Sequence, residues 1–382
     1  MMPSLPPELL DLIVDHSSHL PASLKTCCLV SKSWVPRARR HLFAHVEFDS
    51  EDYFAGCSIE SWIKAFPDPS NSPAHHARGL AISGLTAVKA ATTHGHAWIR
   101  SFNSIIKLAV DTHWWDDGDL SLVQLHGLSP TLKSLSLDRS SLPLSEAFNL
   151  ACSFPLLEDL SLRSFRPQQP VHDPINPPST SPKLTGTLLL QGDIRSLASR
   201  LLDLPGGLHF AKISIDCHGS CLNSAVDLVS RCSDTLESLY FSSSTSLRPL
   251  LLISTSPLTV RPGPPRMSPP FDLSKVIKLK DVEFRWWRPD IQWINMSLQT
   301  IKSSNLRQIT ITIGSFVHPS REAVCQQWRD LDHLLVQLWT SRSILPKIMY
   351  GRSGSERGDN LRDIAPSLLP ELTSRGAVSV VM

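Results

Sequence analysis

One spacing of apolar residues recurs along this chain and limits its fold more than any other feature. Leu132-x-x-Leu135-x-Leu137 is followed by Leu157-x-x-Leu160-x-Leu162, Phe210-x-x-Ile213-x-Ile215, Leu236-x-x-Leu239-x-Phe241 and Leu306-x-x-Ile309-x-Ile311. Ile105-x-x-Leu108-x-Val110 begins the template earlier, and Leu184 with Leu188 and Leu190 fills the interval between 162 and 210. From 105 to 236 successive copies start about 26 residues apart, a regular internal period. Alternating apolar positions mark each copy as a strand. Between the copies, Ser145–Cys152, Ile194–Leu204 and Leu222–Cys232 read as helices, apolar on one face and entered near a serine, aspartate or asparagine. A strand–helix unit of this size leaves one face uncovered, so neighbours must stack to close a core. The expected fold is α/β, a solenoid with a curved parallel sheet and outer helices.

The period is that of a leucine-rich repeat. Its consensus asparagine is mostly absent, with Ser140, Phe165, His218, Ser244 and Gly314 in that place, so irregular repeats are expected. Further on, Val276–Phe284 reads as a strand, Trp293–Ile301 as a helix and Arg321–Ser341 as a longer amphipathic helix. That helix is expected to turn Val324, Trp328, Leu331, Leu335 and Leu338 inward and Arg329, Asp330 and Asp332 mostly outward. After the glycine-rich charged stretch Arg352–Arg362, a helix over Ala365–Leu372 and a strand over Val378–Val381 complete a cap beginning near residue 319, as an open array requires. The proline-rich segments Pro167–Pro182 and Pro257–Pro270 fit neither helix nor strand and read as loops. A non-solenoid α/β domain with buried strands is the competing reading.

The first 46 residues follow a different pattern. Pro7 suits a first helical position and Glu8 the positive end of a helix in which Leu9, Leu10, Ile13 and Val14 share helical spacing. That helix should stop near Ser17-Ser18, and Pro21 opens a second one carrying Leu24, Cys27, Cys28 and Leu29. A third is expected from Ser33 as N-cap, with Trp34, Ala38 and Leu42 on one stripe and Arg37, Arg39, Arg40 and His41 on a solvated basic face. Three helices of this length cannot bury enough surface to stand alone, so their spare apolar faces must meet the next domain or a partner.

Leu5-Pro6-x-Glu8-Leu9, then Ile13, Leu29-Val30-Ser31-Lys32-Ser33-Trp34 and His41-Leu42-Phe43 resemble the F-box-like motif. With the repeats behind it, the chain resembles fungal, basidiomycete-type F-box-like proteins carrying irregular leucine-rich repeats. The resemblance implies that residues 1–46 bind a Skp-family adaptor, which bridges to a cullin-RING ubiquitin ligase, and that residues 47–382 recruit a protein substrate for ubiquitination. It assigns the adaptor surface to Leu5, Pro6, Leu9, Ile13, Val30 and Trp34. The His16-to-Leu20 connection departs from the motif, with His-Ser-Ser-His in place of a more usual apolar or acidic stretch. A repeat scaffold uncoupled from any ligase is the alternative.

In such an array the residues between framework leucines face an extended partner on the concave side. Ser136, Asp138, Ser161, Arg163, Ser214, Asp216 and Tyr240 occupy those positions, a small, polar, mixed-charge set suited to protein recognition. A formal net charge of +2 and 41% hydrophobic residues point to neither disorder nor a nucleic-acid polyelectrolyte. With no secretory pattern and no run of about 18 apolar residues, an intracellular chain, cytoplasmic or nuclear, with no membrane partner is expected. The eight scattered cysteines read as reduced, and the sequon at Asn295 as a chance match.

GxxxxGK[ST], GxGxxG, HExxH and GxSxG are all missing. A non-catalytic chain without cofactor or metal is expected. The nearest approach to a metal site is Cys217-His218-x-x-Cys221 with Cys232 downstream, which lacks a second paired cluster. His75-His76 and His94-x-His96 read as surface histidines, and Trp114-Trp115 and Trp286-Trp287 as either binding anchors or core-edge packing.

Overall fold

The computed structural model describes residues 6–48, 58–83, 97–111, 125–126, 128–138, 144–165, 182–192, 194–204, 206–217, 221–243, 269–286, 291–313, 322–351 and 366–381. The chain divides into two compact units, Met1–Lys183 and Leu184–Met382. Most of Pro167–Pro182 and of Pro257–Pro270, the stretch Arg352–Arg362, and the positions of Ser140, His218, Ser244 and Gly314 lie outside the described residues.

The first unit starts with helices α1 (Pro7–His16), α2 (Pro21–Val30) and α3 (Val35–Leu42). Pro7, Pro21 and Pro36 each fall in a first helical turn, where the missing N–H costs nothing. The third helix starts later than Ser33 would set it. Trp34 takes the N-cap position without a side-chain cap, and the Ser33 hydroxyl lies 2.8 Å from that of Ser31. Ser31, in a local turn, accepts the Ser33 N–H at 3.3 Å, competing with the cap.

Behind these helices lie β1 (His45–Phe48), β2 (Gly79–Ser83), β3 (Lys107–Asp111), β4 (Ser134–Asp138) and β5 (Asp159–Phe165), each parallel to the strand before it. Helices α4 (Ile59–Ala65), α5 (Ala97–Arg100) and α6 (Leu144–Cys152) occupy the connections. The second unit repeats the arrangement. Its strands are β6 (Thr187–Gly192), β7 (Lys212–Cys217), β8 (Ser238–Ser243), β9 (Asp281–Trp286), β10 (Gln308–Ile313), β11 (Leu345–Gly351) and β12 (Val378–Val381). They too pair parallel, in sequence order. Its helices are α7 (Ile194–Leu202), α8 (Leu222–Arg231), α9 (Ile291–Gln299), α10 (Glu322–Arg342) and α11 (Pro370–Ser374).

In-register pairing makes every framework residue stack on its counterpart one repeat away. Leu108, Leu135 and Leu160 align, as do Ile213, Leu239 and Val282, and all six are buried. Aligned leucines keep the apolar row on one face, because a one-residue slip would turn the row to solvent. The chain entering a strand is tied to the previous repeat by one carbonyl that accepts two N–H groups. Lys133 O receives those of Glu158 and Asp159 at 2.8 and 2.9 Å, and Glu237 O those of Lys280 and Asp281 at 2.7 and 3.2 Å.

Buried hydroxyls add cross-repeat rungs. Ser129 Oγ sits 3.0 and 2.9 Å from the carbonyls of Asn103 and Ile105. Ser303 Oγ sits 2.9 and 2.8 Å from those of Ile277 and Leu279. Both serines stand three residues before a framework leucine, Leu132 and Leu306. These short side chains satisfy carbonyls that burial would otherwise leave unpaired. Gly79 is needed for another close approach: a Cβ there would lie 2.2 Å from the Nδ1 of His45 on the neighbouring strand.

Aromatic side chains thicken the core where aliphatic ones do not fill it. Phe48, Trp62, Trp98 and Phe102 interlock edge-on in the first unit, with Phe48 5.6 Å from each tryptophan. Phe241, Phe271, Phe284, Trp286 and Trp293 do so in the second. Such contacts add to plain area burial. Trp286 is therefore core packing rather than an exposed anchor, while Trp114, Trp115 and Trp287 lie outside the described residues.

Three expectations change. Asp332 is not on the outer face of α10. It is buried, 2% exposed, and accepts the backbone N–H groups of Glu371 and Leu372 at 2.9 and 3.0 Å, so a carboxylate from one helix satisfies the orphan donors of another. The helix expected over Ala365–Leu372 is interrupted at Leu369 and restarts at Pro370, because a proline ring clashes with the carbonyl four residues back. The stretch expected to be strand from Val276 follows a 3-10 turn over Leu273–Lys275 and becomes strand only at Asp281. Asn295 is buried and donates to Gln327 O at 3.0 Å, an interior role at odds with a glycan.

Candidate functional site

Two surfaces carry the residues singled out from the sequence. The first is on the front helices. Their inner side packs Val14, Leu24, Cys27 and Ala38 with the half-buried Cys28, Trp34 and Leu42. The outer side is apolar as well. Leu29 is 88% exposed and Leu12 and Val30 are each 62% exposed, with Leu9, Ile13 and Leu20 also in solvent. Among the described residues, six of the eight exposed large hydrophobic side chains belong to α1, α2 and their connection. A concentration of this kind marks an interaction surface, since scattered single exposures would need no explanation.

A charge clamp holds α1 to α3 beneath that surface. Asp15 accepts from Arg37 through both Nε, at 2.7 Å, and Nη2, and from His41 Nε2 at 2.7 Å. Asp11 adds a contact to Arg37 Nη1 at 3.6 Å. Hydrogen bonds from Arg37 and then from His41 hold the Asp15 carboxyl well below the usual carboxylate range. The bond to Asp15 in turn raises the Arg37 guanidinium above its ordinary value. The expected wholly solvated basic face of α3 is thus divided: Arg37 and His41 are engaged, while Arg39 and Arg40 remain exposed.

Of the six adaptor-surface residues named from sequence, Leu9, Ile13 and Val30 are exposed. Pro6 is exposed, and its carbonyl receives the Leu9 and Leu10 N–H groups at 3.1 and 3.2 Å. Trp34 is half-buried against the small core. Leu5 lies outside the described residues. Leu12, Leu20 and Leu29 complete the exposed group without having been assigned to it. Leu12 shares α1 with Leu9 and Ile13, whereas Leu20 lies in the connection before α2.

The second surface is the polar face of the strands, present in each unit. In the first, Ser136 stands opposite Ser161 and Asp138 opposite Arg163. In the second, Ser214 stands opposite Tyr240, which faces Glu283, and Asp216 opposite Ser242, which faces Arg285. The seven substrate-face residues named from sequence therefore fall into aligned rows within their own units, and Glu283, Arg285 and Lys347 extend the second set. A hydrogen bond that Arg285 donates to the Tyr240 oxygen, with the charges of Tyr240, Glu283 and Asp216, raises the Arg285 guanidinium. Burial raises the Glu283 carboxyl against the opposing pull of Arg285 and Lys347. On β10 the face closes, since Thr310 and Thr312 are buried. Asp216 Oδ1 and Ser161 Oγ are buried acceptors with no partner among the described residues, places where a ligand donor would relieve a cost.

Cys221 and Cys232 are both buried, and burial pushes the Cys232 thiol up to about 11, the opposite of what a thiolate ligand needs. The Cys217 side chain and His218 lie outside the described residues, among which no three His, Cys, Asp or Glu side chains group as a metal set. No described helix is long and apolar enough to cross a membrane. No protein-family model matches this chain, and no curated protein matches it.

Proposed function

We propose that the chain is an F-box-like substrate receptor: residues 1–46 bind a Skp-family adaptor leading to a cullin-RING ligase, and the polar strand faces present a protein substrate for ubiquitination. The observation that supports this reading is the exposure of Leu9, Leu12, Ile13, Leu20, Leu29 and Val30 on and between two helices whose own core is small. Three of the six, Leu9, Ile13 and Val30, are residues to which the F-box-like resemblance assigns adaptor contacts, and burying large apolar groups of this kind contributes about 1.5–3 kcal/mol each. A helix pair docking such a face recovers apolar area that the folded chain leaves in water. In the same reading, the repeats form a leucine-rich-repeat solenoid whose polar rows accept an extended segment of the substrate, its N–H donors taken by Ser161 on the face of the first unit or by Asp216 on the face of the second.

The test is co-elution of the full chain with a purified Skp-family adaptor on gel filtration, repeated with Ile13→Asp and with Leu29→Asp. A stable complex with the native chain that either variant abolishes, with circular dichroism unchanged, is the expected result. Absence of a complex with the folded native chain would instead favour the repeat scaffold uncoupled from a ligase. Trp34→Ala is a poorer probe because Trp34 belongs to the small core, and its loss would confound binding with folding.

A further inference from the structure

Four cationic or protonatable side chains gather on the side of the first unit where α3 meets the turn before β2. Pro73–His76 is a single 3-10 turn whose Pro73 and Ala74 are buried, and Ser72 Oγ caps it by accepting the Ala74 N–H at 3.2 Å. The turn is anchored and packs on α3. At its end the His75 and His76 rings lie 3.9 Å apart, tilted by 53°. His75 Nδ1 is 2.8 Å from the carbonyl of Ser72. A carbonyl only accepts, so Nδ1 carries the proton, and Nε2 becomes a donor only when the ring is protonated.

Arg39 and Arg40 come from α3, both exposed and neither in an ion pair among the described residues. The clamp at Asp15 takes only Arg37 and His41. Burial, then the charges of His75, Arg40 and Arg39, push the His76 imidazole below its ordinary value, and no carboxylate is among its influences. When protonated, the two rings repel each other and the two guanidinium groups, and neither arginine has an ion-pair partner among the described residues. An anion placed among them turns each of those repulsions into an attraction.

We propose that Arg39, Arg40, His75 and His76 form a binding site for an anionic peptide, one carrying a phosphoryl group or a run of carboxylates. Guanidinium forks match both anions in paired hydrogen bonds. The four side chains come from one helix and one 3-10 turn packed on it, and the chain's net charge is only +2, which fits a short peptide better than a nucleic-acid backbone. Binding must draw protons onto the histidines, because only protonated rings donate from every nitrogen. This inference does not depend on the adaptor reading, since the peptide is assayed on the chain alone.

Fluorescence anisotropy of the full chain with labelled peptides tests it. One peptide carries a phosphoserine, one a run of glutamates and one neither, with inorganic phosphate as competitor. Binding of at least one anionic peptide is expected, falling with added salt and tighter near about pH 6 than near about pH 8. The double reversal Arg39→Glu with Arg40→Glu should weaken it about tenfold or more, and both side chains are exposed, so folding is expected to survive. His76→Gln should flatten the pH dependence, and in the native chain the His76 ring should titrate at higher pH when the peptide is bound. Failure of both anionic peptides to bind, or binding that the charge reversal leaves unchanged, would overturn the proposal.

Discussion

The front helices bury four side chains and leave six large apolar ones in solvent, whereas residues 184–382 bury a long aliphatic and aromatic row and expose only Ile277 of that kind among the described residues. The repeats cover each strand–helix unit with the next, so almost no apolar surface is left over. The helices have too little chain for that and rely on a charge clamp, Asp15 with Arg37 and His41, to fix their geometry. The contrast separates stability from availability. What the repeats spend on a core, the helices keep on the surface, and that surplus is the physical argument for a partner.

The comparison breaks first if the repeat core is dispensable. Phe241→Ala removes a fully buried ring in contact with Phe271, Trp286 and Trp293 and should cost about 3–5 kcal/mol in urea denaturation. Leu24→Ala in the small helical core is expected at about 2 kcal/mol, the low end of such truncations, because a shallow core relaxes around the gap. Equal losses at the two sites would remove the distinction.

Next in size is the buried carboxylate at the C-terminal end. Asp332→Ala leaves the N–H groups of Glu371 and Leu372 without their acceptor, a loss of about 1–3 kcal/mol. Faster amide exchange across α11 and β12, with the rest of the second unit protected, is the expected signature.

The clamp sharpens the contrast through pH. The folded-state pKa of Asp15 is depressed, so its contribution is fully present above the unfolded carboxylate value of about 4 and is lost as pH falls through the lower folded value. Chemical shifts of α1 to α3 should therefore hold until pH drops well below about 4, and Asp15→Asn should remove that acid-dependent change. The smallest effect belongs to the exposed residues: Leu29→Asp should change stability by no more than about 0.5 kcal/mol.

Much of the repeat architecture was legible. The i, i+3, i+5 template located β3, β4, β5, β7, β8 and β10, because buried in-register strands demand apolar residues at those positions, and Leu184 with Leu188 and Leu190, one residue longer, located β6. It passed over β2, where Ala77 replaces a large residue ahead of Leu80 and Ile82, although all three are buried. It also passed over β1, whose Phe43-x-x-Val46-x-Phe48 was absorbed into the helical motif. Pro346 concealed β11, since proline argues against a strand. Pairing with β12 begins only at Ile348, so the proline stands where that side of β11 has no neighbour strand.

The candidate site was less legible, for a general reason. Helical spacing shows that Leu9, Leu12 and Ile13 share a face, but not whether the face is covered. Likewise Asp332 was expected to face outward, because its partners are 39 and 40 residues away in sequence, and the clamp at Asp15 joins residues 22 apart. Contacts of that range belong to the assembled fold.

The apolar surplus on α1 and α2 is proposed to be an adaptor surface. Gel-filtration co-elution of the full chain with a purified Skp-family adaptor, native against Leu29→Asp, tests it most directly. One complex with the native chain and none with an equally folded variant is the predicted result; a native chain that stays separate from the adaptor, or a variant that binds as well, would contradict it.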